Sequence, residues 1–321
     1  MKMYFQAILA CLAFILSTTG VYAEPDWPNK PIKLVVPYPA GGNTDIVGRQ
    51  LAKQIQEELG QAVVVENRAG AATAIGTSYV ARSKNDGYTL LLSAGTTFTI
   101  NPHVQEDLPY ELENFIPVTP VASIPFAFVV RQAFPAENLQ EFIDYAKKHP
   151  GEINNATNGM GTMVHLLGVV MAQGLNIDVS HIHYRGAAPA ATDLMAGVVD
   201  SNIEALANAV PNIEAGKYRA LAVLSEERLS LLPDVPTFTE LGYPTIIGES
   251  WSGIYAPSGT PKDIILKLNQ SLQTILTSDE YKEKMRQLGN TAEYSDSQEF
   301  DTITKEQSQN WKKLIDDLDL S

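Results

Sequence analysis

Basic charge is scarce in this chain: 23 lysines and arginines face 37 aspartates and glutamates, leaving a formal net charge of −14. Such a surface repels nucleic acid and anionic membrane, so neither is expected as a partner. The same field repels small anions at long range, and any anion site must therefore be built locally. Cysteine is nearly absent, with Cys11 as the single example. A disulfide framework, a thiolate nucleophile in the body of the chain and a cysteine-based metal site all fall away. Also missing is an apolar run of the ~20 residues that span a bilayer. What is left is an acidic, soluble protein that depends on a large apolar core, and 321 residues can bury one.

The nearest approach to a membrane segment lies at the N-terminus. Lys2 precedes ten apolar residues, Ala7 to Leu16, followed by Ser17-Thr18-Thr19-Gly20 and Val21-Tyr22-Ala23. A positive start, a short apolar core and a small-x-small ending read as a secretory signal peptide, residues 1–23, cleaved after Ala23. Ile8-Leu9-Ala10-Cys11 faintly resembles a lipoprotein box, but the apolar core continues past Cys11, which argues against lipidation. Export is expected, and the only cysteine leaves with the leader.

Strands alternate with amphipathic helices along the rest of the chain, the pattern of an α/β fold. Ile32–Val36, Ala62–Glu66 and Tyr88–Ser93 read as buried strands. Ile46, Val47, Leu51, Ile55 and Leu59 define one face of a helix that ends at Gly60. Pro120–Arg131 is one long extended segment interrupted by Pro125, and Ser250–Pro257 is a second. Between them a new series is expected: a helix at Leu139–Lys148, a strand and loop at Ile153–Thr162, a helix from Met163, a strand at Ser180–Tyr184, a helix at Ala188–Ala196, and strands at Val198–Glu204 and Arg219–Ser225. A pair of helices finishes the chain. The expectation is two α/β domains joined by two crossing strands: residues 24–124 with 249–321 as a discontinuous first domain, and 125–248 as the second.

One stretch raises a chemical question. Val35-Val36-Pro37-Tyr38-Pro39-Ala40-Gly41-Gly42-Asn43-Thr44-Asp45 runs from a strand end into a helix and contains no lysine or arginine. A helix start leaves backbone N–H groups without intrahelical partners at the positive end of the macrodipole. Gly41 and Gly42 let a ligand approach, the prolines stiffen the turn, and Asn43, Thr44 or Asp45 can cap the helix. Such a turn can hold a carboxylate without a basic side chain. An ordinary strand-to-helix turn explains this loop equally well at this point. Ala156–His165 repeats the device, with Gly159 and Gly161 in the turn and Thr157, Asn158 and Thr162 as polar side chains. Neither a Walker loop nor a dinucleotide fingerprint fits it.

Three further loops suit the same geometry. Asn67–Gly76 offers Ala72 and Thr73, Ser93–Thr97 offers Ser93, Gly95 and Thr96, and Tyr184–Asp193 offers Arg185 and Gly186. Arg68 and Arg185 are the nearest cations; Arg185 either neutralises a ligand carboxylate or partners Asp193. Glu204 ends a strand and either holds an ammonium or hydroxyl group or caps the next turn. No cofactor is implied. Enzyme readings do poorly: Gly248-Glu249-Ser250-Trp251-Ser252 has Ser252 where a nucleophile elbow has glycine. His181 and His183 share a face of one strand without an evident third metal ligand.

Several segments together resemble one family. They are Trp27–Asp45, Val63–Ala71, Asp86–Leu91, Gly159–Leu166, His183–Asp200, Ala215–Val223, Leu232–Pro244 and Trp251–Pro261. In this order they are similar to the Bug, or TctC-like, receptors of tripartite tricarboxylate transporters. The resemblance implies a two-lobed periplasmic-binding-protein fold of the second type, with ligand in the interlobe cleft and no catalysis. It implies a periplasmic solute-binding protein that hands its ligand to one large and one small membrane subunit. The expected ligand is a small organic acid, a dicarboxylate foremost, and binding by lobe closure needs only a monomer. Carried onto this sequence, the ligand carboxylate falls to Tyr38–Asp45 and Thr157–Thr162, and His165 and Asp193 match motif positions. The chain departs from the family run at Ala69-Gly70-Ala71-Ala72-Thr73, where small side chains replace glycines, and at Arg185, where lysine is commoner. A ligand sensor for a signalling partner is the alternative, and an exported hydrolase a distant third.

Overall fold

Ile32–Val36, strand β1, carries five residues of which four are buried, because it lies between two parallel neighbours. A strand covered on both faces needs successive apolar residues rather than alternation. The computed structural model describes residues 27–317, and the leader with its cleavage point at Ala23 lies outside them.

Helix α1 (Asn43–Leu59) leads from β1 to β2 (Val63–Asn67) and buries Val47, Leu51 and Ile55 of the expected face, while Ile46 is exposed. Strand β2, expected to be buried, is the edge strand of its sheet and leaves Val64 exposed. Gly60 closes it in the left-handed conformation. Helix α2 (Ala74–Ala81) and strand β3 (Thr89–Ala94) follow, then two four-residue helices, α3 (Thr96–Thr99) and α4 (Asn101–Val104). The long extended segment is two strands, β4 (Phe115–Ile124) and β5 (Phe126–Arg131). Pro125, which has no N–H for a ladder, separates them.

Next come α5 (Leu139–Lys148), β6 (Asn154–Thr157), α6 (Met163–Leu175), β7 (Ser180–His183), α7 (Ala187–Ala196), β8 (Ser201–Ala205), α8 (Leu206–Glu214) and β9 (Tyr218–Val223). Strand β10 (Ser250–Pro257) opens the last stretch, with α9 (Lys262–Leu276), α10 (Asp279–Gln287), β11 (Thr291–Ala292) and α11 (Ser297–Asp317). Three helices rather than two finish the chain. Nor are α2, α3, α4 and α8 among the expected helices. α2 scatters its apolar residues among small ones, α3 and α4 have four residues each, too few to show a helical period, and α8 carries Pro211 inside it.

The strands form two sheets, in the orders β11-β4-β10-β3-β1-β2 and β7-β6-β8-β5-β9. The first sheet carries Leu34, Leu51, Ile254 and Leu268 in one core and Phe98, Tyr255 and Phe300 in another. The second carries Phe128, Phe142 and Phe238 in one and Ala127, Leu194 and Tyr218 in another. Rings meet edge to face, as for Phe128 and Phe142 at 4.9 Å. Each such fully buried side chain stabilises by roughly 1.5–3 kcal/mol.

Strand direction sets where function can sit. β4 ends where β5 begins, so the carboxyl end of β4 faces the second sheet. β1, β2 and β3 share that direction, since β10 is antiparallel to both β3 and β4. In the second sheet β8 and β9 run antiparallel to β5 and β6 and β7 follow β8, so their carboxyl ends face the first sheet. The loops leaving both sets of strands therefore confront each other across the join, the usual ligand position in open α/β sheets.

Candidate functional site

The loop after β1 is shaped by its own residues. Gly41 has φ +84°, a left-handed conformation that a side chain resists, with no heavy atom near the missing Cβ. Gly42 is the N-cap of α1, and no side chain caps the helix. This corrects the expectation of a cap from Asn43, Thr44 or Asp45. Among the described residues nothing accepts from the N–H groups of Asn43, Thr44 or Asp45. Asn43 instead exchanges hydrogen bonds with Asn290, at 3.4 and 3.1 Å. Ala40 is exposed at the tip.

Asp45 is turned inward and 2% exposed. Its carboxylate accepts from the Gly41 N–H at 2.8 Å, Arg49 Nε at 2.9 Å and Asn67 Nδ2 at 2.9 Å. Burial raises its pKa, but the bonds from Arg49, Gly41 and Asn67 outweigh burial and hold it below the ordinary carboxylate value. Its geometry is that of a clasp on the loop. Arg68 is likewise committed, paired with Glu66 and 3.7 Å from the centre of the Tyr79 ring.

The other first-sheet loops join in one polar chain. The Tyr38 hydroxyl accepts from the Ala94 N–H at 3.3 Å and lies 3.4 Å from Thr97 Oγ1. Thr97 Oγ1 reaches Ser93 Oγ at 2.7 Å and Thr73 Oγ1 at 3.2 Å. Asn101 Nδ2 donates to the Ala72 carbonyl at 2.7 Å. Ala71, Ala72 and Thr73 all have positive φ, of 47°, 45° and 83°. Three such residues with side chains are strained, the kind of strain found at ligand clamps. Gly95 lies against Trp251, whose ring would be 2.5 Å from an added Cβ, and Thr96 opens α3 beside it. Thr97, Asn101, Asn67 and Asn290 were not among the sequence candidates. Of these Asn67 and Thr97 lie in loops singled out from the sequence, Asn101 and Asn290 do not, and Asn290 is 247 residues from its partner.

On the second sheet, the Thr162 side chain accepts from the His165 N–H at 3.4 Å and caps α6. Its hydroxyl also donates to the Gly159 carbonyl at 2.7 Å. The N–H of Gly159 meets Thr157 Oγ1 at 3.4 Å, and that of Gly161 donates to His165 Nδ1 at 3.1 Å. An acceptor at Nδ1 fixes His165 as neutral. Burial, with His183 and His181 adding charge repulsion, pushes its pKa down to about 4. The His165 ring stands edge-on to His183 at 4.7 Å and His181 at 5.4 Å. Those two histidines do share a face and meet a third. Among the described residues, however, no group of three His, Cys, Asp or Glu side chains is arranged to hold a metal.

Gly186 is the N-cap of α7, again without a side-chain cap. Arg185 is exposed and makes no ion pair among the described residues. Asp193 accepts from the Tyr184 hydroxyl at 2.7 Å, so of the two alternatives for Arg185 the pairing with Asp193 is not the one formed. Burial and Asp193 push that phenol up to about 12. Glu204 caps nothing, since the N-cap of α8 is Ala205 without a side-chain bond. Asn158 stands in the turn between β6 and α6 with its Oδ1 buried and unpartnered. A cavity of about 960 Å³ lies elsewhere along the join, beside Ser123, Pro125, Glu249, Trp251 and Trp311, and none of the candidate residues lines it.

The chain resembles known proteins over nearly its whole length. Residues 47–320 match the model of the tripartite tricarboxylate transporter family receptor. Protein BugT of Bordetella pertussis is 35% identical over 313 residues, which cover 96% of each chain. The structure of the periplasmic binding protein BugD is 36% identical with a TM-score of 0.77, covering 92% of this chain and 99% of that one. The R. palustris protein Rpa4515, solved with adipate, is 31% identical with a TM-score of 0.81, covering 91% and 98%. Two lobes of α/β structure, with strand ends and glycine turns opposed across their join, accord with these likenesses, and the chain belongs to the TctC, or Bug, family of periplasmic solute-binding receptors.

Proposed function

We propose that the protein captures a small organic acid, a dicarboxylate foremost, and delivers it to the large and small membrane subunits of a tripartite tricarboxylate-type transporter. The observation that carries this reading is the start of α1. It has no basic side chain and no side-chain cap, and the first-turn N–H groups of Asn43, Thr44 and Asp45 meet no acceptor among the described residues. Oriented N–H groups of this kind attract a carboxylate by fixed partial charge. The α6 turn, Thr157–Thr162, opposes it from the other sheet. Adipate, bound by the relative Rpa4515, is a dicarboxylate and fits the same reading.

In this reading residues 24–124 with 249–321 form one lobe and residues 125–248 the other. Ligand bridging the two biases the hinge at Pro125 and Ser250 toward closure. The leader is removed after Ala23, a monomer suffices, and no cofactor or chemical step is required. Thermal unfolding of the protein against mono-, di- and tricarboxylates and their neutral amides tests it. An acid at 100 times its dissociation constant adds ~2.7 kcal/mol of stability. A midpoint rise confined to acids, and reduced by Gly41→Val, is the expected result. Equal rises with neutral amides would sink the reading.

A further inference from the structure

Glu204 is the one charged candidate that is buried with no neighbour to explain it among the described residues. Its residue is 2% exposed, and among the described residues neither carboxylate oxygen has a hydrogen-bond partner. Ile203 packs into the Phe128 core, so its neighbours in β8, Asn202 and Glu204, face the opposite side with Ala127 and Ala156. Parallel β6 pairs Ala156 with Asn202. Extended two residues past the end of that ladder, the register places Asn158, in the turn that opens α6, level with Glu204. The Oδ1 atoms of Asn158 and Asn202 are also buried without a partner.

The ordinary explanations for a buried carboxylate are an ion pair, a helix cap or a hydroxyl donor. No cation pairs with it among the described residues, α8 begins without a side-chain cap, and the Tyr218 hydroxyl donates to the Ala191 carbonyl. Burial alone pushes the Glu204 carboxyl up to about 7, so an ionised fraction exists near neutral pH. A buried acceptor without a donor is costly, and an unpaired buried charge more so. The two amides bring N–H donors as well as oxygens, but nothing donates to Glu204 among the described residues, and the carboxylate contributes charge. A ligand hydroxyl supplies one donor; a ligand ammonium supplies three and the missing positive charge.

We propose that Glu204, with Asn158, binds an ammonium group, and that the ligand is an acidic amino acid rather than a plain dicarboxylate. The ligand carboxylate then sits on the two helix turns and its amino group reaches the end of β8. The turn 158–161 is not tied to Glu204. Its hydrogen bonds run within the turn, to Thr157 and to His165, not to Glu204. This inference rests on the carboxylate-receptor reading.

Calorimetric titration of the purified protein tests it with aspartate and glutamate, their des-amino counterparts succinate and glutarate, N-acetylaspartate and malate. At least tenfold tighter binding of the amino acids than of the des-amino and N-acetyl forms is expected. In Glu204→Gln that ratio should fall to about one, while Glu204→Asp, which keeps the charge, should retain part of it. Succinate or glutarate binding as tightly as the amino acids would overturn the proposal, and so would a ratio that survives in Glu204→Gln. Malate matching aspartate would replace the ammonium with a hydroxyl and overturn it as well. The wild-type ratio decides the matter even where a variant does not fold. Binding of no acid at all would instead defeat the receptor reading, and this inference with it.

Discussion

Asp45 and Glu204 are both carboxylates that are 2% exposed, yet they stand in opposite chemical positions. Asp45 is surrounded by donors and held below its ordinary pKa; Glu204 has none and is pushed up to about 7. Their contributions to stability therefore have opposite signs against pH. Asp45 stabilises the fold above the ordinary carboxylate range, and that stability is lost as pH falls through its lowered pKa. Asp45→Asn, which sets an amide where three donors converge, should cost about 1–3 kcal/mol at pH 7 in urea unfolding. The difference from wild type should shrink in strong acid. For Glu204 the fold favours the protonated form, so stability is full below about 4.5 and falls as pH rises to about 7. Glu204→Gln should therefore gain about 3 kcal/mol over wild type at pH 8 and nothing at pH 4. Equal stability at pH 8 would mean that Glu204 has a donor after all.

At the scale of elements, what the sequence made legible was what local rules decide. Leu139–Lys148 is read correctly because Asn138 caps it from the Glu141 N–H while Leu139, Phe142, Ile143 and Ala146 fall on one buried face. Ser250–Pro257 is legible because all eight residues are buried between two neighbours. The glycine turns of the site could also be read, since glycine and proline punctuate any chain. Illegible were the partners brought in by tertiary folding, such as Asn290 on Asn43 and Asn101 on Ala72. Equally hidden was the left-handed run Ala71-Ala72-Thr73, because alanine and threonine resist that conformation and only surrounding contacts impose it. Ala72→Gly relieves one such residue at the cost of a freer unfolded chain. The net gain should be about 0.5–1 kcal/mol in urea unfolding, since the left-handed penalty exceeds the entropy lost. A loss of stability would show that the alanine methyl packs usefully in the loop.

Across the whole molecule the two sheets are linked by two chain crossings and by side chains that reach over the join. Ile100, Leu166 and Ile315 form a small buried cluster between them, with Trp311 of α11 packed against it. Trp251 leaves the crossing strand and donates its Nε1–H to Gln307 at 2.7 Å. Both tryptophans line the 960 Å³ cavity at the join, whereas Trp27, the third, packs on Tyr88 within the first lobe. Apolar side chains remain uncovered on or next to the facing turns, with Met160 at 69% exposure and Ile46 and Ile75 exposed as well. Closure on a ligand would cover these and alter the cavity, and so change the surroundings of two tryptophans of three. Adding a bound acid should therefore shift intrinsic tryptophan emission. Trp27→Phe should leave that shift intact, and Trp311→Phe should remove much of it. A saturating ligand that leaves emission unmoved, with the radius of gyration from solution scattering also unchanged, would mean that binding does not bring the lobes together. The turns on the two sheets would then have to hold the ligand already in place, and the hinge at Pro125 and Ser250 would carry no part of the function.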